Sequence, residues 1–223
     1  MSSSIQQTKI YHTKRIKAGL SLTLDGCGGD ECWNTAHVLT DFSFPWTQQD
    51  PPATEFRALW NDNFFYFRFN VTDTDVVLTE GADVMEKMIG SDRVEIFFST
   101  GPELNPYYSI EIDPRGEVLD YETRYHRKMN WEWSCAGLEV NTSLSNTGYI
   151  VEGKIPISTF QTLGCLHEDN VGSYLGAGLY RAEFSHDPSG GPVIENWMSW
   201  IDPQVSTPDF HVPSSFGTIR FVE

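Results

Sequence analysis

Long apolar runs are missing from this chain: nothing approaches the roughly 18 consecutive apolar positions of a membrane span, and Met1 to Lys17 has no apolar stretch of an export signal. As written, the sequence predicts no membrane partner and a cytoplasmic location, or a secreted or periplasmic one if a leader has been removed. Basic residues are also scarce, 15 against 31 acidic, for a formal net charge of −16. Such a chain repels phosphate backbones and anionic lipid, which argues against nucleic acid and leaves neutral ligands and cations. Cys27, Cys32, Cys135 and Cys165 include no Cys-x-x-Cys pair, and the six histidines show no His-x-His or His-x-x-x-His spacing, so neither a zinc site nor a thioredoxin-like centre is expected. A Cys27–Cys32 bridge in an oxidising compartment and unpaired thiols both remain open. Nucleophile-elbow, P-loop and dinucleotide fingerprints are lacking, as is any sustained helical period.

What is present is β-chemistry. Aromatic residues make up 13% of the 223 positions and 12 prolines are spread along them, a composition that suits one domain. The predicted fold is all-β: a single β-sandwich of immunoglobulin or jelly-roll type, two mostly antiparallel sheets with little helix. Residues 1–16 read as a tail or an extra edge strand and 17–223 as the domain. Leu20 to Leu24 alternates as a strand, and Trp33 is expected under the sandwich end. Thr54 to Trp60 and Phe64 to Val71 flank Asn61-Asp62-Asn63 as a hairpin, with Phe65, Phe67, Phe69 and Val71 on the core face. Asp83 to Met88 predicts a helical turn.

The run Arg93-Val94-Glu95-Ile96-Phe97-Phe98 sends Val94, Ile96 and Phe98 one way and Arg93, Glu95 and Phe97 the other. Tyr107 to Asp113 repeats this, with Tyr108, Ile110 and Ile112 inside and Tyr107, Ser109 and Glu111 outside. Near Arg181 the same split sets Tyr180, Ala182 and Phe184 against Arg181, Glu183 and Ser185. Arg93, Glu95, Ser109, Glu111, Arg181 and Glu183 are therefore expected to converge on one concave face. Guanidinium donors beside carboxylate acceptors bind hydroxyls, and an aromatic ring stacks on the apolar face of a sugar. The expected ligand is a neutral mono- or oligosaccharide.

Leu24-Asp25-Gly26, Trp33, Ala36, Leu59-Trp60-Asn61-Asp62, Asp92-Arg93-Val94-Glu95-Ile96-Phe97, Tyr149-Ile150-Val151-Glu152, Ile155-Pro156, Ser199-Trp200 and Phe216-Gly217 occur in order. This set resembles the family 9 carbohydrate-binding modules, which are related to DOMON-type sandwiches, across residues 20 to 223. The resemblance implies non-catalytic binding of plant-type polysaccharide fragments such as xylan or glucan oligosaccharides, alongside glycoside hydrolases, with structural calcium. It matches Glu95 to a ligand-binding carboxylate and Glu183 or Arg181 to a second polar position. It places the two aromatic clamp positions at Ile89 and Phe210, so the clamp is half present, with Trp131, Trp133, Trp197 and Trp200 as possible substitutes.

Two other functions compete with this one. A hydrolase would use paired carboxylates, Glu95 with Glu111 or Glu183. Haem binding would need an axial Met, with Met85 or Met88 nearest the site. The abundance of carboxylates favours an oxygen-ligated cation, calcium first, and Thr72-Asp73-Thr74-Asp75 is a turn able to hold one.

Overall fold

The computed structural model describes residues 9–223. Thirteen strands follow in chain order: β1 (Ile10–Arg15), β2 (Thr54–Trp60), β3 (Phe64–Thr72), β4 (Arg93–Ser99), β5 (Tyr107–Ile112), β6 (Val118–Arg124), β7 (Lys128–Asn130), β8 (Glu139–Ser145), β9 (Gly148–Pro156), β10 (Leu166–Asp169), β11 (Gly172–Ser185), β12 (Ile194–Ser199) and β13 (Gly217–Val222). Helices are short, α1 (Val84–Ile89) between β3 and β4 and α2 (Ile157–Leu163) after β9. The mostly-β expectation holds, but not as two separate sheets. One hydrogen-bonded path runs β7-β6-β5-β4-β11-β13-β1-β2-β3-β9-β8, and it curls so that its two flanks face each other.

The join is made by β11, whose 14 residues reach both flanks. Gly176 to Ala182 pairs with β4, and Tyr174 to Ala177 pairs with β13. The parallel pairs are β13 with β1 and β1 with β2. Ile10–Arg15, expected in a tail or at an edge, is thus an interior strand; the rest of the predicted tail, up to residue 8, lies outside the described residues.

Between the flanks sits the main core. Phe65, Phe67, Phe69 and Val71 of β3 and Val151 and Ile155 of β9 meet Val94, Ile96 and Phe98 of β4 and Ile110 and Ile112 of β5. Phe98 lies edge-on to Phe65 at 6.2 Å and to Phe160 of α2 at 4.8 Å, the geometry aromatic pairs prefer. The β2–β3 hairpin forms as read, because Asn61 Oδ1 accepts from the backbone N–H groups of Asn63 and Phe64, both at 2.9 Å. Asp83 caps α1 by accepting from the Glu86 N–H, and Glu86 returns a bond to the Ala82 N–H. Gly164 ends α2 at φ 73°, the left-handed conformation that glycine adopts without strain.

Leu20 to Leu24 is not a strand. Side chains take up polar groups that a ladder would use: Thr23 N–H donates to Asp30 at 2.9 Å and Leu24 C=O accepts from Asn141 Nδ2 at 3.0 Å. Trp33 does pack where expected, in a satellite core with Leu22, Leu59 and Tyr66, and its Nε1–H donates to buried Glu152 at 2.6 Å.

Candidate sugar-binding site

Residues paired across adjacent strands share a face, so the ladder decides which predicted site residues meet. Glu95 pairs with Glu111, Glu111 with Leu119, and Phe97 with Ser109, which pairs with Tyr121. On the other side Glu95 pairs with Tyr180, and Arg93 with Ala182, which pairs with Trp197. One face of the β12-β11-β4-β5-β6 region therefore carries Trp197, Tyr180, Arg93, Glu95, Glu111, Leu119 and Tyr121. Arg181 pairs with Val94 and so stands on the opposite, core face, as does Glu183. This corrects the expected convergence: Arg181 and Glu183 do not join Arg93 and Glu95, while Tyr180, Ala182 and Phe184 do share their face. A side-chain period of two makes this an all-or-none difference in parity.

The Arg93 face was read as the outer one, yet it is nearly all buried. Phe97, Tyr107, Tyr180 and Phe210 form a second apolar cluster over it, and Ser109 is sealed beneath with no hydrogen-bond partner among the described residues. Ser109 is therefore part of the floor's support and does not reach the cavity. Above it opens a cavity of about 350 Å³ lined by Arg93, Glu95, Glu111, Tyr121, Trp131, Trp197 and Phe210, with Arg127, Asp209 and His211 at its far wall. Its volume falls at the small end of the roughly 300–1,000 Å³ of ligand sites.

The polar floor is an ion cluster. Arg93 Nε lies 3.0 Å from Glu95 Oε1 and 2.6 Å from Glu111 Oε2, and Arg93 Nη1 donates to the Met88 and Ser91 carbonyls. Tyr121 Oη donates to Glu111 Oε1 at 2.6 Å. Burial first, and the neighbouring Glu111 charge second, push the Glu95 carboxyl well above its ordinary range despite Arg93. The Arg93 guanidinium also sits 5.3 Å from the Trp197 ring.

At the wall, Asp209 accepts from His126 Nε2 at 2.7 Å, from Arg127 Nη1 at 3.2 Å and from the His211 N–H at 2.9 Å. Burial raises its pKa, but these bonds outweigh that and leave it below the usual carboxylate value. His211 shares a 2.7 Å bond between its Nδ1 and Tyr107 Oη, and burial lowers its pKa to about 3, with nearby Arg127 adding to the effect.

Phe210, at the second clamp position, is buried, stacked on Tyr180 at 4.2 Å, and offers only part of its ring to the cavity. Ile89 stands 64% exposed at the rim. Beside Phe210 and Tyr121, two of the four substitutes bring aromatic surface to the cavity: Trp131, 47% exposed and 4.6 Å from Tyr121, and Trp197. Trp133 packs on Tyr108 and Trp200 is core. Sequence reasoning did not assign Tyr121, Asp209 and His211 to the site; the alternation Leu119-Val118 and Tyr121-Asp120 along β6 was the available signal for the first. Of the two candidate haem ligands, Met85 lines the cavity and Met88 is fully buried.

Beneath the same sheet, Arg181 and Glu183 build a second cluster. Arg181 Nη1 donates to Thr54 Oγ1 at 3.0 Å, and Nη2 reaches Asp73 Oδ2 at 3.3 Å and Glu183. Asp92 accepts from the Phe184 and Val77 N–H groups. Asp73, Asp92 and Glu183 place carboxylate oxygens within 4.8 Å of one another, and the buried Tyr149 hydroxyl beside them has no partner among the described residues. Burial, opposed by two backbone bonds, raises Asp92 to about 7; burial, opposed by Arg181 and reinforced by the other carboxylates, raises Glu183 to about 8. An all-oxygen set with more negative charge than one guanidinium neutralises fits a hard cation such as calcium. All four cysteines are free thiols, Cys27 exposed and the others buried.

Comparison with known proteins agrees with this architecture. The model of the carbohydrate family 9 binding domain-like family matches residues 24–223. The chain belongs to that family. Its function is accordingly non-catalytic carbohydrate binding. A curated relative, the exoglucanase XynX of Acetivibrio thermocellus, is 23% identical over 190 residues, 85% of this chain but 15% of that protein, so the chain spans only a small part of its length. A crystal structure from Bacteroides uniformis ATCC 8492 superposes with TM-score 0.72 at 17% identity, covering 97% of this chain and 100% of that one. A family 9 module from Caldicellulosiruptor kristjanssonii gives TM-score 0.62 (18% identity, 96% and 93% covered) in its cellotriose complex. A family 9 module from the same organism in complex with glucose gives 0.60 (21% identity, 96% of each). These likenesses show a shared fold.

Proposed function

We propose that the cavity over Arg93, Glu95 and Glu111 holds a neutral mono- or short oligosaccharide of glucan or xylan type. The observation that carries this reading is the conjunction in one small cavity of a buried Arg–Glu–Glu floor with the rings of Trp131 and Trp197. Sugar hydroxyls accept from the guanidinium and donate to carboxylate, while the indoles cover the C–H faces of the ring. The glucose and cellotriose complexes of the fold relatives support the ligand class. The exoglucanase relative supports a role alongside glycoside hydrolases. Glu95 and Glu111 share one guanidinium and are held by it, and Glu183 lies on the other face, which disfavours a water-activating carboxylate pair.

Calorimetry against glucose, cellotriose and xylotriose tests the proposal. The expected result is binding in the micromolar to millimolar range without release of reducing sugar. Trp131→Ala and Trp197→Ala should each weaken it about tenfold, the loss of one stacking surface. Failure of every saccharide to bind, or full affinity in both variants, would overturn it.

The Asp73, Asp92 and Glu183 cluster is proposed as the seat of a structural calcium ion, which would tie β3, β4 and β11 together. Added calcium should raise the melting temperature and chelator should lower it; indifference to both would remove the ion from the account.

A further inference from the structure

We infer that the preferred ligand is a sugar bearing an apolar substituent of a few carbon atoms, a reading that rests on the sugar site proposed above. The cavity is chemically two-sided. Glu95 and Glu111 hold one side, and the register that pairs Glu111 with Leu119 starts an apolar side on the next strand, about 10 Å from the Glu95 strand by two interstrand steps. Met85 and Ile89 come to that side from α1, which packs on β6, and Met129 comes from β7. Four aliphatic side chains from three elements thus line one flank of a cavity whose floor is charged.

A bare sugar does not explain that flank. Hydroxyl-bearing edges call for donors and acceptors, and pyranose faces call for flat rings, which Trp131 and Trp197 already supply. Thioethers and branched aliphatic groups offer neither. They adapt their shape to alkyl, aryl or acyl groups and remove those groups from water. Ile89, 64% exposed, is an uncovered apolar group at the mouth that such a substituent would cover.

Calorimetry with glucose and the methyl, propyl, butyl and phenyl β-glucosides, with butanol as the substituent alone, tests the inference on the full chain. Affinity should rise about fourfold for each methylene buried from methyl to butyl. In the Met85→Ser/Met129→Ser double variant, with folding checked by circular dichroism, that increment should shrink. A flat series in which glucose still binds would overturn this inference and leave the sugar site standing. Absence of binding by glucose and every glucoside would overturn both. Butanol binding as tightly as butyl glucoside, or an undiminished increment in the double variant, would also overturn it.

Discussion

Two clusters of one arginine and several carboxylates lie on opposite faces of the sheet around β4 and β11, and they differ in what covers them. Arg93 with Glu95 and Glu111 opens upward into a cavity walled by Trp131 and Trp197. Arg181 with Asp73, Glu183 and Asp92 is closed, tied to Thr54, to the Thr72 carbonyl and to backbone N–H groups. Composition alone does not separate a recognition site from a structural knot. The closed cluster uses its bonds to pin β3 against β11; the open one leaves carboxylate and guanidinium facing a space that a ligand can fill.

The largest effect should come from breaking the closed cluster. Arg181→Met removes the guanidinium that faces three buried or half-buried carboxylates, and uncompensated buried charge costs about 3–5 kcal/mol. Urea unfolding should show that loss, while the folded fraction keeps its sugar affinity. A loss below about 1 kcal/mol, or a matching loss of affinity, would erase the distinction between the two clusters.

Next in size is the acid response of the open cluster's wall. The native His211 imidazole stays neutral down to about pH 3, whereas the unfolded one takes a proton near its ordinary 6.5. The unfolded state therefore binds more protons between those values, and stability falls as pH falls through that window. From pH 7 to 4.5 the loss from this residue should be about 2–3 kcal/mol. His211→Asn, which keeps a partner for Tyr107 Oη, should flatten that part of the stability profile; an unchanged slope would place the titration elsewhere.

Glu95→Gln probes the floor with a smaller expected change. Burial and Glu111 keep the Glu95 carboxyl protonated further up the pH scale than usual, so the amide resembles the protonated form in shape and charge. Stability should move by under about 1 kcal/mol, and sugar affinity should drop about tenfold at a pH high enough to ionise Glu95, where the native residue offers a carboxylate acceptor that the amide lacks. Unchanged affinity would shift recognition from the floor to the rings.

Much of this organisation was readable from residues. The alternation Val94-Ile96-Phe98 against Arg93-Glu95-Phe97 located the floor, and the Asn61-Asp62-Asn63 turn located the hairpin. The parity of β11 was misread because Tyr180, Ala182 and Phe184 look like core, although Leu175, Ala177 and Leu179, on the same parity as Arg181, are the true core residues. Apolar character identifies a buried face, and here both faces are buried, so only pairing could decide. The interior place of β1 was illegible for a related reason: parallel pairing joins residues some two hundred positions apart, as Ile10 with Thr218, and no local pattern announces it.

The smallest expected change sharpens the open cluster. Ile89 ends α1 at the cavity rim, exposed enough that a larger side chain meets solvent, not packed core. Ile89→Trp should therefore leave stability within about 0.5 kcal/mol. A flat ring there can lie against a sugar held between Trp131 and Trp197, adding about 0.5–1.5 kcal/mol, or roughly twofold to tenfold in glucose affinity. The same ring replaces one aliphatic wall of the apolar flank, so the advantage of butyl over methyl glucoside should narrow. Titrating both glucosides against both proteins separates the two contributions: a gain for glucose with an undiminished butyl increment would mean that Ile89 borders the sugar and not its substituent, and no gain at all would put the ring face of the ligand beyond the reach of α1.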